Sequence, residues 1–207
     1  MLLESRTVAR VERRSSIFVG SEAFAEALEA EDLGKLGRRR LVILQKRIAG
    51  LSASSLEAFV LRVRKMIRLG GPVNVLVASS ALSRSLNRRF RGIDKPTDVL
   101  SFGSCKSDIP ARDGAAGELA ISAEIARSNA RRFGYPVATE IKILVVHGML
   151  HLAGFDHERD EGEMERKEAQ LRRRLKLEPG LIERSSGSHS WNPRSARRKL
   201  AKKRRSK

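Results

Sequence analysis

Three of the chain's four histidines fall within eleven residues, as His147, His151 and His157 of the stretch HGMLHLAGFDH. That spacing constrains the local fold more than any other feature. The segment Thr139 to Ala153 is the most apolar in the chain and carries helical spacing. His147 and His151 stand at i and i+4, so both rings leave one face of the same helix. Gly154 supplies a left-handed stop, and the chain can then turn so that His157 approaches from a third direction. A lone histidine on an apolar helix is ordinarily a core residue, but three that converge in this way form a ligand set. Three imidazoles on one side leave the fourth tetrahedral position open, the pattern of a catalytic zinc site. One Zn2+ ion is the expected cofactor, although nickel, copper and iron also accept imidazole. Bound zinc brings the pKa of a water down toward about 7.

Around this helix the pattern predicts an α/β (α+β-like) fold, with a small mixed sheet surrounded by helices and the zinc site at a helix end. Leu41–Leu44, Val73–Ala78, Asp98–Phe102 and Glu118–Ile121 read as short strands. Ser54 and Glu57 have the spacing of a capping box, and the helix that follows is expected to run to Leu69 and stop at Gly70-Gly71-Pro72. Further helices are predicted over Ser80–Phe90, Ser122–Phe133 and Glu158–Leu175, and an exposed loop over 103–116. Three parts follow from the composition: an N-terminal extension over 1–40 of unclear order, a catalytic domain over 41–184, and a basic tail over 185–207.

Charge separates these parts. The extension is nearly balanced, with eight Lys/Arg against seven Asp/Glu, whereas residues 194–207 hold nine Lys/Arg and no acid. The tail therefore carries half of the net charge of +18. Such a segment is expected to be disordered and to bind polyanions, because each cation that meets a phosphate releases counterions. Trp191 and the tail arginines are candidates for stacking on bases, and His189 falls in the same tail. Cys105 is the single cysteine, so no internal disulfide forms and a reducing compartment is expected. No apolar run approaches the roughly 18 residues of a membrane span, and the opening MLLESRTVARVERR holds no long apolar core. A cytoplasmic protein without a membrane partner is the resulting expectation.

The stretch His147–His157 resembles the H-G-x-L-H-L-x-G-y-D-H signature of the YbeY family of bacterial endoribonucleases. Asn87–Phe102 (NRRFRGIDKPTDVLSF) is similar to that family's second signature, and Gly117–Ser122 (GELAIS) to a third, with Glu118 where aspartate is usual. The resemblance spans about residues 40–180. It implies a zinc endoribonuclease that prefers single-stranded RNA and acts in 16S ribosomal RNA 3′-end maturation and ribosome quality control. It also implies contacts with ribosomal RNA, the small ribosomal subunit and the GTPase Era. On its own, Arg91 beside Arg88 and Arg89 reads as a surface arginine. The resemblance implies that it is the functional arginine, a planar permanent cation suited to a phosphodiester gaining charge. Asp98 is a candidate for capping a turn or holding Arg91. Thr97 and Ser101 read as local hydrogen-bonding groups, and Asp156 as either a cap or an orienter of a ligand imidazole.

Two other readings compete. Metzincin proteases share the histidine spacing (H-E-x-x-H-x-x-G-x-x-H), but they need a glutamate after the first histidine as general base, and Gly148 stands there. A non-enzymatic ribosome assembly factor with a structural zinc is the third possibility. An open coordination position and folding that survives histidine substitution distinguish the enzyme from it.

Overall fold

A computed structural model describes residues 9–11, 41–103 and 117–177. The extension apart from 9–11, the loop beyond Gly103 with Cys105, and the basic tail with His189 and Trp191 lie outside the described residues. The strands are β1 (Ala9–Val11), β2 (Val42–Leu44), β3 (Val73–Ala78), β4 (Val99–Gly103) and β5 (Gly117–Ser122). The helices are α1 (Ala53–Ile67), α2 (Ser80–Arg91), α3 (Ala123–Phe133), α4 (Val137–Leu152) and α5 (Glu163–Leu175). One sheet has the order β1-β4-β5-β3-β2. Only β4 and β5 pair antiparallel, and every other neighbouring pair is parallel, so the sheet is mixed as expected.

Alternation along the strands divides the core in two. Val73, Val75, Val77, Val99, Leu119 and Ile121 face a large cluster that takes in α1, α3, α4 and α5. Leu100, Phe102 and Ala120 face the other way and meet Leu86, Leu82 and Phe90 of α2. Helix α4 lies inside the larger cluster with eleven buried residues, from Glu140 to His151. A helix apolar on nearly all sides belongs in an interior, and this explains why the most apolar segment carries the histidines. They are held by a fully packed element.

Three local expectations are corrected. The first helix is capped by Ser52, not Ser54, and Ser55 closes the box: the Ser55 amide donates to Ser52 Oγ and the Ser52 amide to Ser55 Oγ, both at 3.1 Å. That helix ends before the glycines, because Arg68 itself adopts the left-handed conformation at φ 55° and its amide donates to Lys65 and Arg64 carbonyls. The charged last helix begins at Glu163 rather than Glu158. Asp160 holds the intervening turn, its carboxylate accepting from the amides of Gly162 and Met164 at 2.9 Å each.

Candidate metal centre

Helix α4 delivers two imidazoles from its last turns. The Nε2 atoms of His147 and His151 lie 3.2 Å apart, and both residues are buried. The helix then reverses. Gly154 takes φ +94°, its amide donates to the His151 carbonyl at 3.0 Å, and the Phe155 amide donates to the Leu150 carbonyl at 3.1 Å. This return brings His157 back onto the helix end. The three ring centroids form a near-regular triangle with sides of 4.9, 5.4 and 5.4 Å. One ligand nitrogen from each ring lies within 4.8 Å of the other two.

The electrostatics suit a cation. Burial, followed by the neighbouring His147 and His157, pushes His151 down to about 3. Burial and then His147 also lower His157. Both rings are therefore neutral near pH 7, with lone pairs free to donate. Tetrahedral zinc with bonds of ~2.05 Å sets its ligand nitrogens roughly 3.3 Å apart, so the 3.2 Å separation of His147 and His151 fits such an ion. The Nδ1 atoms of all three rings are buried without a hydrogen-bond partner. The chemistry of this donor set, three imidazoles converging on one point, fits one metal ion.

Gly148 has a structural reason to be glycine. A Cβ there would lie 2.7 Å from Leu119 Cδ2 and 3.0 Å from Ser101 Oγ. The position faces the sheet, where Ser101 Oγ also donates to the Gly148 carbonyl at 3.3 Å. No general base can stand at this position without displacing β4 or β5.

A family model described as "Endoribonuclease YbeY" matches residues 43–176. The chain belongs to the YbeY endoribonuclease family. It is 51% identical over 146 residues to the "Endoribonuclease YbeY" of Koribacter versatilis, covering 70% of this chain and 92% of that one. The corresponding protein of Solibacter usitatus is 43% identical over 143 residues, with 69% and 92% covered. A Thermotoga maritima protein solved in solution is 27% identical, with a TM-score of 0.44, and the match covers 73% of this chain and 99% of that one.

The second YbeY-like stretch, Asn87–Phe102, reaches the same sheet edge as the histidines but on the other face. Helix α2 starts just after the C-terminal end of β3 and runs back, so that Phe90 meets Phe102 edge-on at 5.2 Å. Phe102 pairs with Glu118 near the start of β5. A Cβ on the adjacent Gly117 would lie 2.6 Å from Leu152, the last residue of α4. Arg91 therefore ends its helix at the edge where the histidine helix also ends. Its side chain is half-buried and makes no hydrogen bond or ion pair among the described residues. Asp98 does not hold it: Asp98 Oδ1 accepts from the Val99 amide at 3.0 Å and from Thr97 Oγ1 at 3.2 Å. The local role expected for Thr97 is thus met, whereas Ser101 bonds not locally but across to the Gly148 carbonyl of α4. Asp156 acts as a turn cap, accepting from the Glu158 amide at 3.2 Å.

One buried carboxylate beside the histidines escaped the sequence reading. Glu168 of α5 is buried, with Oε2 3.6 Å from His147 Nδ1. Its signal was its place in the buried stripe Met164, Glu168, Leu171, where helical spacing calls for an apolar residue. Glu118, the departure from the family aspartate, points to the α2 face rather than to the histidines. It is 6% exposed, Oε2 has no partner, and burial pushes it up to about 7 against a hydrogen bond from Asn74 that lowers it. A carboxyl raised in the folded state stabilises below its unfolded pKa and loses that contribution as pH rises through the folded value. Between about pH 4.5 and pH 7 the unfolded chain releases this proton first, so stability declines across that window. Glu118→Gln is expected to match the wild type at about pH 4 and to exceed it by ~1–2 kcal/mol at about pH 8. Urea unfolding at the two pH values measures this, and equal pH dependence of the two proteins would refute it.

Proposed function

We propose that this protein is a single-strand-specific, zinc-dependent endoribonuclease that acts in 16S ribosomal RNA 3′-end maturation and ribosome quality control. The carrying observation is the triangle of imidazoles at the end of α4, His147 and His151 buried and His157 half-buried, with His151 and His157 held neutral by burial and by neighbouring rings. His147, His151 and His157 hold the metal, and the domain they belong to extends over 41–184. When bound, zinc supplies Lewis acidity to the scissile phosphodiester.

The chain's own groups divide the remaining work. Arg91 donates to the non-bridging phosphate oxygens as negative charge builds on them. Gly148 brings α4 down onto the sheet, and the Gly154 turn sets His157. The RNA backbone approaches from the Arg91 side of the edge. A cleft of about 360 Å³ beside the Gly154 turn carries Asp156, Asp160 and Glu163 together with Arg159. The basic tail over 185–207 adds sequence-independent affinity for RNA, and the small ribosomal subunit and the GTPase Era are the partners in the cytoplasm. No helix of the described residues is long and apolar enough to cross a membrane.

The test is cleavage of a single-stranded RNA spanning the small-subunit 3′ end by the full-length protein, with and without chelator, beside Arg91→Ala. Cleavage is expected to require metal and to fall on the order of 10²-fold in Arg91→Ala, the usual cost of one lost donor to a developing oxyanion. Melting of that variant should be unchanged. Zinc-loaded wild type that leaves this RNA intact, alone and with 30S subunits, would overturn the enzymatic reading in favour of a structural zinc in an assembly factor.

A further inference from the structure

We infer that Glu168 is the positioning residue of the metal centre, acting through His147. The inference rests on the reading of the three histidines as metal ligands. His147 presents Nε2 to His151 at 3.2 Å, so the metal-facing edge of its ring is fixed. The opposite edge, Nδ1, faces Glu168 Oε2 at 3.6 Å. The ring and the carboxylate are 0% and 2% exposed, so no bulk water competes for either group.

An imidazole that binds a metal through Nε2 must carry its proton on Nδ1, and this proton needs an acceptor. Nδ1 of His147 has no hydrogen-bond partner at present, and Glu168 Oε2 is the carboxylate oxygen set beside it. Closing 3.6 Å to an ordinary N–H···O distance of ~2.8–3.0 Å requires a small rotation of the ring or the carboxylate. The resulting hydrogen bond fixes the tautomer and the ring plane and makes Nε2 a stronger donor to the metal.

Glu168 cannot itself be a ligand in this arrangement, because it stands behind the ring whose front faces the ion. The neighbouring acid in sequence, Asp156, is engaged elsewhere: Oδ1 accepts from the Glu158 amide and Oδ2 lies 3.7 Å from Arg159 Nε. The orienting carboxylate thus comes from α5, whose burial of Met164 and Leu171 against the core holds Glu168 in place. Packing of the last helix is thereby coupled to the geometry of the metal centre.

The test is zinc affinity of the full-length protein at fixed pH, measured by competition with a chromophoric chelator, for wild type, His151→Ala, Glu168→Gln and Glu168→Ala. Cobalt substitution gives a second readout through the absorption bands of the bound ion. Glu168→Gln keeps the shape and a weaker acceptor, so it folds like wild type and is expected to lose roughly tenfold in zinc affinity. Glu168→Ala should lose up to about 100-fold, the range for lost orienting partners, and the cobalt bands should shift in both. Zinc affinity within twofold of wild type in Glu168→Gln, with unchanged cobalt bands, would overturn the role of Glu168 while leaving the metal centre intact. Wild type that binds no zinc, or His151→Ala that binds it equally well, would instead remove the metal centre and this inference with it.

Discussion

His151→Ala should yield a folded protein that no longer retains zinc and cleaves RNA on the order of 10³-fold more slowly. The folding half of this expectation rests on where the stability lies. The larger core is built from Leu, Val, Ile, Met and Ala side chains of β2–β5, α1, α3, α4 and α5, so one imidazole is a small part of it. His151 lies at the end of α4, one turn before the reversal at Gly154. Removing its ring leaves the His147–Glu168 neighbourhood and the Leu150–Phe155 hydrogen bond untouched. The ring is also costly to bury, since it is driven neutral and its Nδ1 has no partner. The variant should therefore melt within a few degrees of the metal-free wild type. The catalytic half follows from the ligand count: with two imidazoles left, the ion is lost at ordinary zinc levels. Lewis-acid stabilisation of a transition state is worth several kcal/mol, and each 1.36 kcal/mol is tenfold in rate. Equilibrium dialysis, single-turnover cleavage and thermal melting together decide the matter. Full cleavage in the variant would move catalysis away from this site, and a collapsed melt would make the metal structural.

The histidine turn was legible in the sequence because its information is local. An i, i+4 pair on an apolar helix and a glycine stop define the direction of each ring without reference to any other element, and the structure brings His147, His151 and His157 together as expected. Strands β2 to β5 were legible for the same reason, each being a short β-rich run between turn residues, and their boundaries moved by a residue or so, whereas β1 (Ala9–Val11), in the extension, was not read as a strand. What escaped depends on neighbours distant in the chain. Glu168 lies in a helix dense with charge, and only its burial against His147 distinguishes it from Glu163 or Glu165. The early start assigned to that helix arose because Asp156 and Asp160 spend their carboxylates on turn amides, which looks helical in composition. Arg68 ended its helix two residues before the glycines that seemed made for the purpose. Arg91 is the intermediate case. The motif marks it, and topology ends its helix at the same edge of the sheet as α4, but on the opposite face.

Gly148 shows how the same residue reads differently at the two levels, and it gives the other large expected effect. In the sequence it is the missing base of a metalloprotease. In the structure it is the contact on which α4 rests against β4 and β5, with Leu119 and Ser101 within 3.0 Å of where a Cβ would stand. Installing the glutamate of the protease motif, Gly148→Glu, should therefore produce no protease and no folded domain. The new side chain overpacks a filled core, at about 1–3 kcal/mol, and drives a carboxyl in against Leu119 and Ser101. Burying that carboxyl adds several kcal/mol even if it is neutralised by a proton. The sum is of the order of the whole stability of a domain, about 5–15 kcal/mol. Gly148→Ala supplies the graded comparison. Its helix propensity gains about 1 kcal/mol over glycine, while the overlap with Leu119 Cδ2 and Ser101 Oγ costs about 1–3 kcal/mol. Because Ser101 is fixed on a central strand of the sheet, the overlap wins and a net loss of about 1 kcal/mol is expected. Thermal melting of soluble protein measures both variants. A cooperatively folded Gly148→Glu protein with native zinc affinity would show that α4 can lift off the sheet without disturbing the histidines, which the packing of Gly148 denies.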